Sequence, residues 1–143
     1  MVKKGLNATV LFFCIIGALL SIVLYTFNKL DEDMCCNEII EQIVSPDKNN
    51  KLVIFQRDCG ATTGFSTQIS IIEVNQILKN EGGNIFIADT NHGAAPSGPG
   101  GGPKVIANWD NNNQITIKYH ANARIFKELK KAHGINIKTK KYH

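Results

Sequence analysis

The sequence predicts a mainly β protein, with an N-terminal single transmembrane helix followed by a small antiparallel β-sheet or sandwich domain. Two observations support this fold class. Residues 8–27 form an uncharged apolar block, and the rest of the chain contains short β-branched and aromatic runs in which apolar and polar residues alternate. With 143 residues, 43% hydrophobic and 20% charged, the chain is too apolar to be disordered and long enough to bury one core.

The apolar block, ATVLFFCIIGALLSIVLYTF, has no charged residue. A helix of this length is roughly 30 Å long, which matches the hydrocarbon core of a bilayer. No small-residue cleavage motif follows the block, so a cleaved signal peptide is the weaker alternative, as is a lipoprotein modified at Cys14. We therefore expect residues 1–30 to form a cytoplasmic stub and an anchor that contacts the lipid bilayer through residues 8–27.

The charges beside the block predict its orientation. Lys3 and Lys4 precede it, whereas Lys29 is followed by the acidic run DED at residues 31–33. An excess of lysine and arginine favours the cytoplasmic side of a membrane. The N-terminus is therefore expected in the cytoplasm, and residues 31–143 are expected to form an extracytoplasmic β domain.

The charge balance of this outer domain excludes one class of function. Three of the 16 basic residues precede residue 31, whereas all 12 acidic residues lie at residue 31 or after it, so the domain has a net charge near +1. A nucleic-acid-binding protein is far more basic, and we expect no nucleic-acid partner. Basic residues accumulate between Arg124 and Lys141, where they form either a solvated surface or a contact with anionic lipid head groups or an acidic partner.

The cysteines of the outer domain predict a disulfide. Cys35, Cys36 and Cys59 would lie in an oxidising compartment, and adjacent cysteines rarely pair because the peptide between them would be strained. The expected bridge joins Cys59 to either Cys35 or Cys36, and the alternative is that all three thiols are reduced. Neither C-x₂₋₄-C nor H-x₃₋₅-H spacing occurs, so no metal site is predicted.

In the outer domain, apolar and polar residues mostly alternate with a period of two, as in β-strands. Residues 38–44 fit a helix or a strand, but the turn at residues 45–50 favours a strand that pairs with the next one, and DNNN at 110–113 predicts a second hairpin. Towards the C-terminus, residues 124–131 have helical spacing, but we favour a final hairpin of residues 123–129 and 134–140 that turns at His133 and Gly134. The other predicted strands are residues 51–57, 65–73, 84–89, 104–109 and 114–119.

The loop QRDCGATTGF, residues 56–65, is the first candidate for a functional site. It gathers Asp58, Cys59, Thr62 and Thr63 between two strands. A nucleophilic Cys59 activated by His92 or His120 is one hypothesis. We favour the other, a bridged corner in which Asp58 and the threonines satisfy backbone amides.

The second candidate is the glycine-rich loop of residues 90–103, which is long for a compact domain. It is not a phosphate-binding loop, because Gly102 is followed by Pro103 and a strand rather than by a helix. It either packs on the domain or presents backbone to a partner, and no cofactor is predicted. The binding candidates in it are His92, Gly98, Gly100, Gly101 and Gly102.

Two long motifs resemble a functionally uncharacterised family of short, membrane-anchored bacterial envelope proteins. They are VIFQRDCGATTGFSTQISI, residues 53–71, and GGNIFIADTNHGAAPSGPGGGP, residues 82–103. The resemblance runs from about residue 35 to about residue 126 and implies bacterial origin, a signal or anchor and a mainly β outer domain, but no catalytic residues. Bacterial origin, combined with the predicted anchor and its orientation, leads us to expect a single-pass protein of the inner membrane with a periplasmic or other extracytoplasmic domain.

Three functions fit these observations. The leading hypothesis is a non-catalytic, membrane-anchored extracytoplasmic binding module with a protein partner in the envelope, such as an accessory or immunity-type protein. The alternatives are an envelope hydrolase that uses Cys59, Asp58 or His92, and a structural subunit of a membrane assembly.

Overall fold

The computed structural model of the chain describes residues 8–33, 35–60 and 63–143, with helix side chains described for residues 10–26. The chain divides into two compact units at Cys35. The first contains helix α1 (Ala8–Asp33), whose described side chains are exposed. Within the described ranges, no helix is long and apolar enough to cross a membrane. The flanking Lys3 and Lys4 lie outside the described residues.

The second unit consists of two β-sheets, so the mainly β prediction is confirmed. The main sheet has the order β1-β2-β3-β4-β7 and is antiparallel throughout, whereas the second sheet, β5-β6-β9-β8, includes the parallel pair β6 and β9. The strands are β1 (Cys36–Val44), β2 (Asn50–Asp58), β3 (Ser66–Glu73), β4 (Phe86–Asp89), β5 (Val105–Asn111), β6 (Gln114–His120), β7 (Arg124–Glu128), β8 (Lys131–Ala132) and β9 (Ile135–Tyr142).

One hydrophobic core joins the two sheets. Alternate residues of each strand point into it, and the rings of Phe86 and Tyr119 meet across it with centroids 5.3 Å apart. The indole N–H of Trp109 in β5 donates to the carbonyl of Ile43 in β1 at 2.9 Å, which links the two sheets at one end. The main sheet contributes Leu52, Ile54, Ile69, Ile71 and Ala88, and the second sheet contributes Ala107, Ile115, Ile117, Ile135 and Ile137.

The segment between β3 and β4, residues 74–84, covers part of the outer face of the main sheet. Asn37 on β1 donates to the carbonyls of Lys79 and Glu81, and the backbone N–H of Gly83 donates to the side-chain oxygen of Gln68 on β3. Under this segment Val53 and Phe55 are completely buried, so β2 is buried on both faces. The predicted strands correspond to β2 to β6. The packing of residues 74–84 on the sheet was not predicted, because this segment has no recognisable sequence pattern.

The C-terminal region corrects one prediction. Residues 123–129 and 134–140 do not form a hairpin with each other, because β7 pairs with β4 in the main sheet and β9 pairs with β6 in the second sheet. The turn at His133 and Gly134 is present, but it joins the short β8 to β9. The alternation of apolar and polar residues is compatible both with the predicted hairpin and with the observed pairing of β9 with β6. The burial of Ile135 and Ile137 beside β6 distinguishes the observed pairing from the hairpin. Residues 38–44 are confirmed as a strand that pairs with β2.

Candidate functional site: a groove at the end of the main sheet

Four strands of the main sheet end in a row of polar side chains. The register places Arg57 opposite Ser66, Ser66 opposite Asp89, and Asp89 opposite Arg124, from β2 through β3 and β4 to β7. The neighbouring position on β3, Thr67, lies on the core side and is buried. Because successive side chains alternate between faces, the row lies on the outer face of the sheet.

Beside this row lies a cavity of about 480 Å³, which we call the arginine groove. Only two of the chain's 16 basic residues are arginines, and both of them, Arg57 and Arg124, line this groove. The other lining residues are Cys59, Thr63, Gly64, Phe65, Ser66, Ile87, Asp89, Thr90, His92 and Phe126. The groove therefore brings three of the sequence-predicted candidates, Cys59, Thr63 and His92, to one place.

Arg124 is held by Asp89. Its Nε donates to Asp89 Oδ1 at 3.2 Å, and its Nη2 donates to Oδ2. Desolvation of the Asp89 carboxyl is the largest single influence on its pKa and would raise it. The hydrogen bonds from Arg124 and from the backbone N–H of Asn91, together with the nearby positive charges, outweigh desolvation and lower the pKa below its ordinary value. Asp89 is therefore ionised at neutral pH and fixes the guanidinium.

Arg57 is positioned from the opposite side of the groove. Its Nη1 donates to the side-chain oxygens of Asn37 at 2.7 Å and Asn80 at 3.2 Å. Asn80 in turn donates to the carbonyl of Cys35, so the covering segment and the start of β1 both orient the guanidinium. These bonds use only Nη1, and an arginine keeps two further nitrogens for a planar acceptor such as a carboxylate.

Two phenylalanines form the apolar part of the groove. Phe65 is 45% exposed and Phe126 is 60% exposed, which is unusual for side chains of this size. The guanidinium carbon of Arg124 lies 4.9 Å from the centroid of the Phe126 ring, a cation–π contact that keeps both groups together. Aromatic residues, phenylalanine among them, and arginine are enriched at protein interfaces relative to the rest of the surface.

His92 reaches the groove from a left-handed turn. The φ angles of Asn91, His92 and Gly93 are 51°, 56° and 87°, and Asp89 holds the turn by accepting the N–H of Asn91 at 2.8 Å. Non-glycine residues rarely adopt this conformation, and such strain tends to collect at functional sites. The same Asp89 therefore positions both Arg124 and the turn that carries His92.

The disulfide joins Cys35 to Cys59, which confirms the predicted bridge and identifies its partner. The covalent bond connects the start of β1 to the loop after β2, and Cys59 lines the groove. Cys36 is exposed and has a free thiol. Asp58, next to Cys59, accepts the N–H of Gly60 at 3.0 Å in a tight turn and does not line the groove. Thr62 lies outside the described residues.

The glycines of the glycine-rich loop pack beside the groove, whereas Thr90 and His92 of the same loop line it. A Cβ atom would lie 2.7 Å from the Phe65 ring at Gly101, 2.2 Å from the Gln56 side-chain oxygen at Gly100, and 2.5 Å from Thr67 Oγ1 at Gly102. At Gly98 it would lie 2.7 Å from Cα of Lys104. Only glycine permits this close approach, so the loop supports Phe65 from behind.

Sequence reasoning missed Arg57, Phe65, Asp89, Arg124 and Phe126. They are distant in sequence and meet only through strand register. The one signal available was that both arginines occupy positions facing away from the core within predicted strands. Among the described residues, no group of three or more His, Cys, Asp or Glu side chains could hold a metal ion.

The groove can recognise an anionic group beside an apolar one. Two arginines supply planar donors, and two exposed rings supply an apolar surface at the same place. Comparison with protein-family models, with curated proteins and with solved structures finds no match for this chain.

Proposed function

We propose that the chain is a membrane-anchored, extracytoplasmic binding module of the bacterial envelope, and that the arginine groove binds an acidic and apolar segment of a partner protein. The observation that carries this proposal is the position of Arg57 and Arg124, the chain's two arginines, beside the exposed Phe65 and Phe126. This combination suits a protein partner better than a small metabolite, because the groove is open and aromatic side chains line it.

The anchor rests on the sequence of residues 8–27, which contains no charge and has the length of a bilayer core. Large apolar side chains of α1, from Val10 to Tyr25, are exposed. A contiguous exposed apolar surface of this kind needs a lipid or protein environment. The Cys35–Cys59 bridge agrees with an oxidising compartment outside the cytoplasm.

The hydrolase alternative is weaker. A nucleophilic Cys59 needs a free thiolate, whereas its sulfur is bonded to Cys35. Asp58 is engaged in its own turn. Neither residue provides the activated nucleophile that the enzyme hypothesis requires.

The test is photo-crosslinking in cells that produce the full chain. A photoreactive amino acid replaces Phe126 in one variant and Ile77 in the other. Ile77 is the matched control because it is apolar and 85% exposed but lies outside the arginine groove. We expect position 126 to crosslink to one envelope protein that position 77 does not capture.

The chemistry of the groove is tested with that crosslink. Phe65→Ala should weaken binding of the captured protein by about thirtyfold, since truncation of a central aromatic residue costs about 2 kcal/mol. Arg57→Gln should also weaken it, because the planar donors for the acidic group are lost. Equal crosslinking from positions 126 and 77, or undiminished binding by both variants, would contradict the proposal.

A further inference from the structure

The second sheet carries a separate lysine surface, which we call the basic face. It consists of Lys118 on β6, Lys138 and Lys140 on β9, and Lys131 on β8. All four side chains are exposed, whereas the alternating Ile117 and Ile137 are buried in the core. The lysines therefore stand on the face of the sheet that points away from the main sheet.

The register brings like charges together on this face. In the parallel pair of β6 and β9, Lys118 lies opposite Lys140, and Lys138 lies opposite Thr116, two residues earlier on each strand. Like charges directly opposite each other destabilise a sheet. The register of Lys118 and Lys140 therefore opposes folding, and fold stability does not account for it.

Little negative charge offsets these lysines. Asp110 is the only acidic residue on the four strands of the second sheet. Its carboxylate accepts hydrogen bonds from Gln114 Nε2 and Thr116 Oγ1, both at 2.8 Å. These two bonds lower the pKa of Asp110, and the charges of Lys138 and Lys140 lower it further. The basic face therefore keeps an excess of three positive charges at neutral pH, from four lysines and one aspartate.

We infer that the basic face docks on an anionic lipid surface. Its cations are all lysine, although the chain uses arginine in the groove. Arginine provides planar, bidentate recognition of individual carboxylates, whereas clustered lysines on flexible stems respond to the summed charge of an anionic bilayer. The lysines also stand on the regular part of a sheet, which suits an extended planar partner better than a single side chain. This inference goes beyond the groove and its protein partner.

The experiment uses the full chain with lipid nanodiscs made of phosphatidylcholine alone or of phosphatidylcholine with phosphatidylglycerol. Trace acetylation followed by mass spectrometry gives the reaction rate of each lysine. Lys118, Lys138 and Lys140 should react about fivefold more slowly on the anionic discs, whereas Lys48 and Lys79 should react equally on both. The protection should disappear at about 1 M salt, where charges are screened within about 3 Å.

Two double variants, each of which removes two positive charges, distinguish an effect of the basic face from an effect of the net charge. In K118Q/K140Q the rate at Lys138 should return to its value on phosphatidylcholine discs, and in K48Q/K79Q the protection of Lys138 should remain. All four substituted lysines are exposed, so the fold is not at risk. Retained protection in K118Q/K140Q would overturn the inference.

Two further outcomes would also overturn it. One is an equal rate at every lysine on both kinds of disc. The other is protection of the basic face by soluble polyglutamate but not by anionic discs, which would assign the face to an acidic protein. The proposed anchor is tested separately, by whether the chain associates with phosphatidylcholine discs. If it does not associate, the comparison of lysine reaction rates between anionic and neutral discs still tests the basic face.

Discussion

Gly102 lies where the glycine-rich loop presses against β3. A Cβ at this position would lie 2.6 Å from the backbone nitrogen of Thr67 and 2.8 Å from the carbonyl carbon of Ser66. Backbone atoms of a central strand cannot move aside, so Gly102→Ala should lower the free energy of unfolding by about 2 kcal/mol. Thermal unfolding of the full chain in detergent, followed by circular dichroism, measures the change.

Gly64→Ala is the matched control for this substitution. Gly64 has no neighbouring atom within 4 Å of its would-be Cβ. Its replacement should leave stability unchanged or raise it by about 0.5 kcal/mol, because alanine restricts the unfolded chain. Equal destabilisation by both substitutions would show that the loop does not pack as described.

The pKa of Asp89 should respond to Arg124. Its folded pKa is lowered, so the ion pair stabilises the protein above the unfolded pKa of about 3.9 and loses this effect as the pH falls through the folded pKa. In Arg124→Gln the hydrogen bond and charge that lower the pKa of Asp89 are lost, whereas the desolvation that raises it remains. The pKa of Asp89 should therefore rise. Carboxyl resonances followed by NMR titration report it.

Arg57→Gln is the control for that titration. Arg57 lines the same groove but makes its hydrogen bonds to Asn37 and Asn80 rather than to Asp89. Its replacement should leave the pKa of Asp89 in place. An equal rise in both variants would mean that general loss of positive charge, and not the paired guanidinium, sets the pKa.

At the scale of elements, the disulfide restrains the start of β1. Cys35 and Cys59 are 24 residues apart, and closing a loop of this length stabilises a protein by roughly 3 kcal/mol in the chain-entropy model. Cys59→Ser should lower the free energy of unfolding by roughly 3 kcal/mol and the melting temperature with it. The melting temperature of this variant should no longer depend on a reductant. Melting curves with and without dithiothreitol measure both effects.

Cys36→Ser provides the comparison, since the thiol of Cys36 is exposed and forms no disulfide. This variant should melt at the same temperature as the natural chain and keep its response to reductant. If Cys36→Ser lost the response and Cys59→Ser kept it, the bridge described here would be wrong.

The turn between β8 and β9 offers a stabilising change. Ala132 pairs with Ile135, and the two residues between them have φ angles of 49° at His133 and 78° at Gly134. Such two-residue hairpin turns prefer asparagine followed by glycine. His133→Asn should therefore raise the free energy of unfolding by about 0.5 kcal/mol. A lower melting temperature than that of the natural chain would contradict the turn assignment.

Element positions were predictable from the sequence where the period was clear, but partners were not. The runs that became β3, β5 and β6 contain alternating apolar residues, and the run that became β2 is apolar throughout from Leu52 to Phe55. All four runs are bounded by turn residues, and these signals are local. The pairing of β4 with β7 joins residues far apart in the chain, and no local pattern encodes it. For the same reason, the groove was predictable only in its loop residues Cys59, Thr63 and His92.

At the scale of the whole molecule, the proposed anchor predicts that residues 35–143 lie outside the cytoplasm. If residues 8–27 span the inner membrane with the N-terminus inside, alkaline phosphatase fused after His143 will be active, because it requires an oxidising compartment. Green fluorescent protein exported unfolded at the same position will not fluoresce. The reverse pair of results would contradict the orientation and remove the compartment argument for the disulfide.

The placement of β9 affects how this domain can be made. This strand is the last one along the chain, yet it lies inside the second sheet between β6 and β8 and supplies Ile135 and Ile137 to the shared core. While a ribosome or a secretion channel releases the chain from its N-terminus, β6 has one of its two neighbours missing. The second sheet therefore cannot be completed until residues 135–142 have left the ribosome or the channel.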